Sequence, residues 1–227
     1  METQKRSRRR RRRISRWAAL MPPLLLALVL AAGGWGIWHF LTGRTPSAEN
    51  VAVPDYVREE LLTVNEWSRP GDPLKEIRGV VIHYVGNPNT TAQANRNYFE
   101  SLSSGQEGTY ASAHFIVGLE GEVVQCIPLT EIAYASNTRN EDTIAIEVCH
   151  PDDTGEFSPE TLESLERLTA WLCETFRLDP RKDVIRHYDV TGKICPKYYV
   201  EHEDAWAALL AGVEEQIQAD EAQRSEK

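Results

Sequence analysis

The sequence lacks the compositional extremes that mark several classes of protein. Of its 227 residues, 41% are hydrophobic and 26% are charged, and we find no internal repeat. This composition excludes collagen-like, coiled-coil and wholly disordered chains. The length suits one domain of ordinary size with extensions, and a domain of that size can bury a hydrophobic core.

Basic residues are scarce outside the N-terminus. The chain has 25 Lys+Arg and 34 Asp+Glu, a formal net charge of −9, but residues 1–16 hold nine basic residues and one acidic residue. That segment carries +8 and the rest of the chain carries −17. A basic run can bind nucleic-acid phosphates. Its position beside an apolar segment instead favours a role in membrane topology, so we expect no nucleic-acid partner.

Residues 17–41 contain no Lys, Arg, Asp or Glu. A bilayer core requires about 20 apolar residues. Even if two prolines interrupt the first turn, residues 24–41 form about 27 Å of helix at roughly 1.5 Å per residue. The pattern predicts a basic cytoplasmic tail over 1–16 and a transmembrane signal anchor over 17–41.

A cleaved signal peptide is the alternative for this segment. Ala32, Gly33 and Gly34 are small enough for a peptidase, but the apolar run continues beyond them. Both interpretations export the rest of the chain, because Lys and Arg stay on the cytoplasmic side. We therefore expect a single-pass protein of the cell membrane with its domain on the extracytoplasmic side, or a secreted protein if the segment is cleaved.

The exported part divides into three segments. Residues 42–73 contain four prolines and scattered charge, which is typical of an extracytoplasmic linker, although Tyr56 to Leu62 is amphipathic enough to dock on a domain. The globular domain is predicted over 74–219. The polar residues 220–227 are predicted to form a frayed tail.

Strands and helices alternate along the domain. Strands are predicted at 79–85, 112–118, 122–128, 143–149 and 183–187, and helices at 91–102, from Ser158 onward and at 203–217. Gly121 lies in the turn between the second and third strands, which predicts a hairpin. The alternation in 143–149 puts Ile144, Ile146 and Val148 on one face and Ala145, Glu147 and Cys149 on the other. The class is therefore α/β with a mixed sheet.

Two histidines and one cysteine are candidate metal ligands. His83 and His187 lie at strand ends, where α/β sheets place their sites, and Cys195 follows His187 after a short segment. Two His and one Cys supply three ligands for Zn²⁺ and leave a fourth position for water. The spacing alone also allows the alternative that each histidine is structural.

Four motifs in order carry a resemblance to a known family. They are GVVIHYVG, TYASAHFIVGLEGEVVQCIP, DTIAIEVCHP and RHYDVTGKICP. Over about residues 75–210 the sequence resembles the zinc-dependent N-acetylmuramoyl-L-alanine amidases of the type-2 amidase and peptidoglycan recognition protein superfamily. The resemblance implies that His83, His187 and Cys195 bind Zn²⁺. It also implies a central mixed β-sheet flanked by helices, with the zinc in a cleft.

The resemblance implies two catalytic residues. Glu147 matches a general base that acts on metal-bound water, and Lys193 matches a cation that stabilises the oxyanion of the tetrahedral intermediate. The alternatives are a solvated polar strand face for Glu147 and a solvated loop lysine for Lys193.

One segment departs from the family pattern. Many relatives have His-Ala-Gly before the glutamate strand, whereas this chain has Tyr134-Ala135-Ser136-Asn137. That loop tends to contact the glycopeptide in the family, so the resemblance does not extend to the fine substrate preference of this chain. His114 lies in another of the motifs without being a family ligand, and it either lines the cleft or is a satisfied core histidine.

The remaining cysteines are compatible with this assignment. If Cys195 binds metal, an odd number of thiols remains, so at most one disulfide can form. Cys126 and Cys149 can pair only if their strands are neighbours. Cys173 is predicted to be a small core residue.

Three functions follow from these observations. The first is a peptidoglycan hydrolase that cleaves the amide bond between N-acetylmuramic acid and L-alanine by zinc-activated water, with peptidoglycan or muropeptides as partners. The second is a catalytically inactive peptidoglycan-binding module, although such relatives typically lack the ligand cysteine. The third is a hydrolase with Cys195 as nucleophile, which we disfavour because Pro196 follows it in a predicted loop rather than a helix N-terminus.

Overall fold

The structure is a computed structural model that describes residues 46–226. The predicted basic tail and signal anchor, 1–16 and 17–41, lie outside the described residues. Between residues 46 and 226, no helix is both long and apolar enough to cross a membrane.

A six-stranded sheet forms the centre of the described part. Its strands are β1 (Val57–Glu59), β2 (Gly79–Tyr84), β3 (Phe115–Val117), β4 (Val123–Gln125), β5 (Thr143–Val148) and β6 (Val184–Arg186). Their spatial order is β1-β4-β3-β5-β2-β6. The β3–β4 pair is antiparallel and every other neighbouring pair is parallel. The predicted mixed sheet and its hairpin are confirmed, and Gly121 adopts the positive φ of 81° that the turn requires.

Six α-helices accompany the sheet in the described part. They are α1 (Ala92–Ser101), α2 (Pro159–Phe176), α3 (Pro180–Asp183), α4 (His187–Thr191), α5 (Lys197–Glu201) and α6 (Glu203–Ser225). Helix α2 begins as predicted, because the Ser158 hydroxyl accepts a hydrogen bond from the Thr161 amide and Pro159 occupies the first turn. Helix α1 is capped by Thr91, whose hydroxyl accepts a hydrogen bond from the Ala94 amide.

The two faces of β5 pack into two separate hydrophobic clusters. Ile144, Ile146 and Val148 lie in a cluster with the buried residues of α2 and α6. Ala145 and Cys149 lie in a second cluster with residues of α1. Helices therefore cover both faces of the sheet, as the resemblance implied. Each fully buried side chain of this kind contributes about 1.5–3 kcal/mol relative to an exposed one.

The described part of the segment predicted as a linker over 42–73, residues 46–73, folds back on the sheet. Strand β1 pairs with β4, and Leu62 is only 1% exposed. Arg69 forms two hydrogen bonds of 2.7 Å to the Glu131 carboxylate and a third, of 2.6 Å, to the carbonyl of Leu62. The predicted docking of Tyr56 to Leu62 is confirmed, but the strand itself was not predicted, because three residues are too short a pattern to recognise.

The predicted frayed tail is also ordered over most of its length. Helix α6 continues to Ser225, and Arg224 forms an ion pair with Glu174 of α2. The helix extends past Ile217 because no Gly or Pro interrupts this polar stretch, and the ion pair holds its last turns against α2.

Candidate metal centre

Three predicted ligands from distant parts of the chain meet at one edge of the sheet. His83 is the next-to-last residue of β2, His187 directly follows β6, and Cys195 lies between α4 and α5. Their candidate ligand atoms all lie within 4.8 Å of one another, and all three residues are buried. The histidines meet because β2 and β6 are parallel neighbours, with Ile82 paired to Arg186.

A closed loop returns Cys195 to the start of α4. The Tyr188 amide donates to the carbonyl of Cys195 at 2.9 Å. Helix α4 ends at Gly192, whose positive φ of 77° turns the chain back, and whose amide donates to the carbonyl of Tyr188 at 2.7 Å. The segment between His187 and Cys195 is thus one short helix and a turn that bring the thiol beside the imidazole.

Hydrogen bonds distinguish the two nitrogens of each ring. His83 Nδ1 lies 4.0 Å from Cys195 Sγ, while its Nε2 lies 3.1 Å from Ser136 Oγ. His187 Nε2 lies 3.3 Å from Asn137 Oδ1, and its Nδ1 is buried with no hydrogen-bond partner among the described residues. A buried nitrogen with a free lone pair is a suitable metal ligand. Two imidazole nitrogens and a thiolate therefore fit a zinc ion with one open position.

Burial sets the protonation of these groups. It lowers the pKa of His83 well below its usual value, with further lowering by the charges of His187 and Lys193. Burial followed by Lys193 also lowers the pKa of His187. Burial, with a contribution from Glu147, raises the pKa of the Cys195 thiol to about 12. The imidazoles are thus already neutral, as ligands must be, whereas the thiol has to lose its proton on metal binding.

Glu147 lies on β5 directly beside His83 in the register of β2 and β5. Its Oε2 is buried and has no hydrogen-bond partner in the described part of the chain. Burial raises the pKa of this carboxyl to about 8, against the opposing charge of Lys193. A fully solvated strand face does not produce such a shift, so the burial disfavours the alternative considered for this residue.

Lys193 lies in the turn after α4 and is exposed. Its charge nevertheless reaches the centre, since it lowers the pKa values of His83, His187 and Glu147. The structure thus brings the three candidate ligands and Glu147 together, and Lys193 acts on them through its charge. Their roles stay predictions.

His114 is a core histidine. Its Nδ1 accepts a hydrogen bond from the Ala145 amide at 3.0 Å, and its Nε2 lies 2.9 Å from the carbonyl oxygen of Glu131. Complete burial lowers its pKa to about 4, so it remains neutral and links β3 to β5. Of the two alternatives considered for this residue, the structure supports the satisfied core histidine.

None of the four cysteines, all of which lie in the described part, forms a disulfide. Cys126 and Cys149 share the second hydrophobic cluster as free thiols, and Cys173 is buried on α2 as predicted. Cys195 lies closer to a helix than predicted, because α5 begins at Lys197. That helix has only five residues and burial keeps the thiol protonated, so the setting still does not activate a nucleophile.

Sequence reasoning missed two polar residues at the centre. Ser136 and Asn137, which the sequence marked only as a departure from the family pattern, contact the Nε2 atoms of His83 and His187. A groove of about 500 Å³ also opens beside Glu147. Its lining includes Asn87, Thr90, Asn95 and Tyr98, which are scattered along the chain and carry no recognisable motif.

Curated proteins of similar sequence are amidases. The chain is 35% identical to the N-acetylmuramoyl-L-alanine amidase BlyA of Bacillus subtilis (strain 168) over 159 residues, which cover 61% of this chain and 41% of BlyA. It is 33% identical to the N-acetylmuramoyl-L-alanine amidase CwlL of Bacillus licheniformis over 156 residues, 63% of this chain and 42% of CwlL. The chain therefore spans about two-fifths of the length of these relatives.

Solved structures show the same fold. A mutant endolysin from Bacillus subtilis superposes with a TM-score of 0.58 at 24% identity, covering 69% of this chain and 97% of the endolysin. The sequence profile of the N-acetylmuramoyl-L-alanine amidase family matches residues 73–198, more than half of the chain, and includes all five predicted site residues. The chain therefore belongs to the N-acetylmuramoyl-L-alanine amidase family.

Proposed function

We propose that this protein hydrolyses the amide bond between N-acetylmuramic acid and L-alanine in peptidoglycan. The observation that carries the proposal is the convergence of His83, His187 and Cys195 within 4.8 Å, beside a carboxylate oxygen of Glu147 that has no hydrogen-bond partner among residues 46–226. Family membership and the named activity of the curated relatives support the same reaction.

The three ligands would hold Zn²⁺ and leave one position open. When bound, the metal supplies Lewis acidity, which lowers the pKa of a water molecule and polarises the scissile carbonyl. Glu147 accepts a proton from the attacking water and then delivers it to the amine of the leaving L-alanine. Its pKa of about 8 before metal binding reflects a desolvated position, and a divalent cation bound beside it would favour the ionised form that accepts a proton.

Lys193 stabilises the negative charge that develops on the carbonyl oxygen. The support is that its charge lowers the pKa values of His83, His187 and Glu147, so it acts on the same centre electrostatically. The groove beside Glu147 is a suitable place for the rest of the substrate, because amide and hydroxyl side chains line it.

Product analysis tests the reaction. Purified peptidoglycan is digested with the purified full-length protein, and the new amino termini are labelled and identified. Free L-alanine amines are the expected product. New reducing sugars without free L-alanine amines would contradict the proposal, because they indicate cleavage between sugars.

A binding module without catalysis is the second candidate, and it makes a different prediction. It requires neither a metal nor a proton acceptor, whereas this chain retains all three ligands and Glu147. Metal analysis separates the candidates: we expect about one zinc per chain, with activity lost on chelation and restored by added zinc. Peptidoglycan binding without metal or cleavage would favour the module.

We further propose that residues 17–41 anchor the protein in the cell membrane, with residues 74–219 as the catalytic domain on the extracytoplasmic side. The support is the charge-free apolar run that follows the +8 tail. Protease treatment of intact protoplasts should digest the domain and leave the N-terminal segment membrane-associated on fractionation. A mature chain that starts near Trp35 in the medium would instead indicate a cleaved signal peptide.

A further inference from the structure

A short loop contacts the Nε2 atoms of both histidines of the candidate metal centre. The 134–140 loop lies between β4 and β5, and two consecutive residues of it reach the rings. Ser136 Oγ lies 3.1 Å from His83 Nε2, and Asn137 Oδ1 lies 3.3 Å from His187 Nε2. In each ring this contact engages Nε2 and leaves Nδ1 free of it. In His83 that nitrogen lies beside the thiol, and in His187 it has no partner within the described part of the chain.

The acceptor at Asn137 determines where the proton of His187 resides. A carbonyl-type oxygen only accepts hydrogen bonds, so His187 Nε2 must be the donor and Nδ1 keeps its lone pair. Ser136 can accept in the same way from His83 Nε2, which leaves Nδ1 of that ring directed to Cys195 Sγ. Asn137 thereby holds His187 in the tautomer that offers Nδ1 to a metal, and Ser136 orients His83 and can accept from the same tautomer of that ring.

The loop is held firmly enough to impose this arrangement. Asn140 Oδ1 accepts hydrogen bonds from the amides of Ala135 at 3.1 Å and Ser136 at 2.6 Å. Ser136 is only 1% exposed, and its carbonyl accepts from the Arg139 amide at 2.9 Å. Asn137 has a φ of 52°, a left-handed conformation that Asn adopts more readily than most residues.

We infer that Ser136 and Asn137 are positioning residues for the metal, which fix the tautomer and orientation of His83 and His187 and thereby raise the affinity for zinc. The inference rests on the proposed zinc centre. Hydrogen-bond partners of this kind typically change metal affinity about 10- to 100-fold when they are removed. The departure from His-Ala-Gly thus has a role at the ligands, in addition to any contact with substrate.

Zinc affinity is the first test, measured on the full-length protein by competition with a chelator. Ser136→Ala and Asn137→Gly should each weaken zinc binding about 10-fold, and the double variant about 100-fold. Glycine keeps the left-handed backbone of residue 137 while it removes the acceptor. Thr138→Ala is the matched control, because Thr138 is an exposed residue of the same loop. The zinc affinity of this variant should equal that of the wild type. Asn137→Asp should bind zinc at least as tightly as the wild type, since aspartate keeps a hydrogen-bond acceptor at this position.

Histidine tautomers give a readout that a merely structural loop residue would not change. Nitrogen-15 NMR of the zinc-free wild type should show His83 and His187 protonated at Nε2, whereas Asn137→Gly should show a tautomer mixture at His187. Wild-type affinity and unchanged tautomers in both single variants would overturn the inference.

The two proposals fail separately. Zinc binding that weakens as expected in a protein without amidase activity would refute the proposed reaction and leave this inference intact. Amidase activity with zinc affinity unaffected by either substitution would refute the inference alone.

Discussion

His83 and Glu147 are paired residue for residue on the parallel strands β2 and β5 and lie on the same face of the sheet. The register therefore sets a candidate metal ligand and a candidate proton acceptor side by side on two rigid strands. Neighbouring strands lie about 4.8 Å apart, a spacing that keeps the carboxylate of Glu147 next to the imidazole of His83. Catalytic geometry set by strands is more precise than geometry set by loops.

Cys195 acts as a ligand and not as a nucleophile, and substitution separates the two roles. We expect Cys195→Asp and Cys195→His to retain measurable zinc and a fraction of the activity, because both side chains can bind zinc. Cys195→Ala should lose both, since only two ligands remain. Zinc content and amine release are measured on the same samples. Zinc-independent activity that vanishes in all three variants would show a nucleophilic cysteine instead.

Zinc binding should become tighter as the pH rises. The Cys195 thiol has a pKa of about 12 before metal binds, so near neutral pH it must release its proton, whereas the buried imidazoles are already neutral. Calorimetric titration near neutral pH in buffers of different ionisation enthalpy should therefore report at least one proton released per zinc, from the thiol, with a further contribution from Glu147, whose pKa before metal binding is about 8. Release of no proton would contradict a thiolate ligand.

Removal of zinc should lower the thermal stability. A ligand that binds only the folded state stabilises it by about 2.7 kcal/mol at a free concentration about 100 times its dissociation constant. We expect the melting temperature to fall on chelation and to recover with added zinc. Cys195→Ala is the control, and its melting temperature should not respond to either treatment.

Glu166 on α2 should make the folded state less stable as the pH rises. Burial, reinforced by the charges of Glu215 and Glu163, raises its pKa from 4.5 to about 7. The folded state keeps this proton up to a higher pH than the unfolded state does. The contribution of Glu166 to stability is therefore complete below about pH 4.5 and is lost as the pH approaches 7. Glu166→Gln should flatten this slope in chemical denaturation measured at several pH values. An unchanged slope would refute the assignment.

Arg69 fastens the segment before β2 to the sheet. Its guanidinium donates hydrogen bonds to the Glu131 carboxylate and to the carbonyl of Leu62. The side chains of Arg69 and Glu131 are both mostly buried. Arg69→Ala should lower the free energy of unfolding by about 2 kcal/mol, since hydrogen bonds to charged groups are worth about 1.5–3 kcal/mol. Arg78→Ala, which disrupts the exposed pair with Glu76, should cost no more than about 1 kcal/mol. Equal effects of the two substitutions would show that the segment is not fastened there.

The sequence predicted the helices and strands whose formation depends on interactions between residues close together along the chain. The alternation of β5 and the Ser158-Pro159 start of α2 are properties of neighbouring residues, so the sequence predicted them correctly. Strand β1 depends on pairing with β4, which is far away along the chain, and three residues carry too weak a pattern to reveal it. The amphipathic pattern of Tyr56 to Leu62 correctly predicted that this piece docks on the domain, but the order of the remaining described residues before 74 was missed.

The candidate site was predictable only through the resemblance. Spacing alone could not bring His83 to His187, because their meeting depends on the pairing of β2 with β6. Ser136 and Asn137 were beyond either approach. Their contacts depend on a loop that Asn140 holds and on a left-handed backbone at residue 137, neither of which has a periodic signal.

Substitution of Glu147 tests the central claim most directly. Glu147→Gln keeps the size of the side chain and removes its ability to accept a proton, so we expect about one zinc per chain and the release of L-alanine amines from peptidoglycan slowed by about 10²- to 10⁴-fold. The measurement is the initial rate of amine release by zinc-loaded wild type and variant at equal metal content. A variant that carries its zinc and cleaves at the wild-type rate would contradict the proposed chemistry.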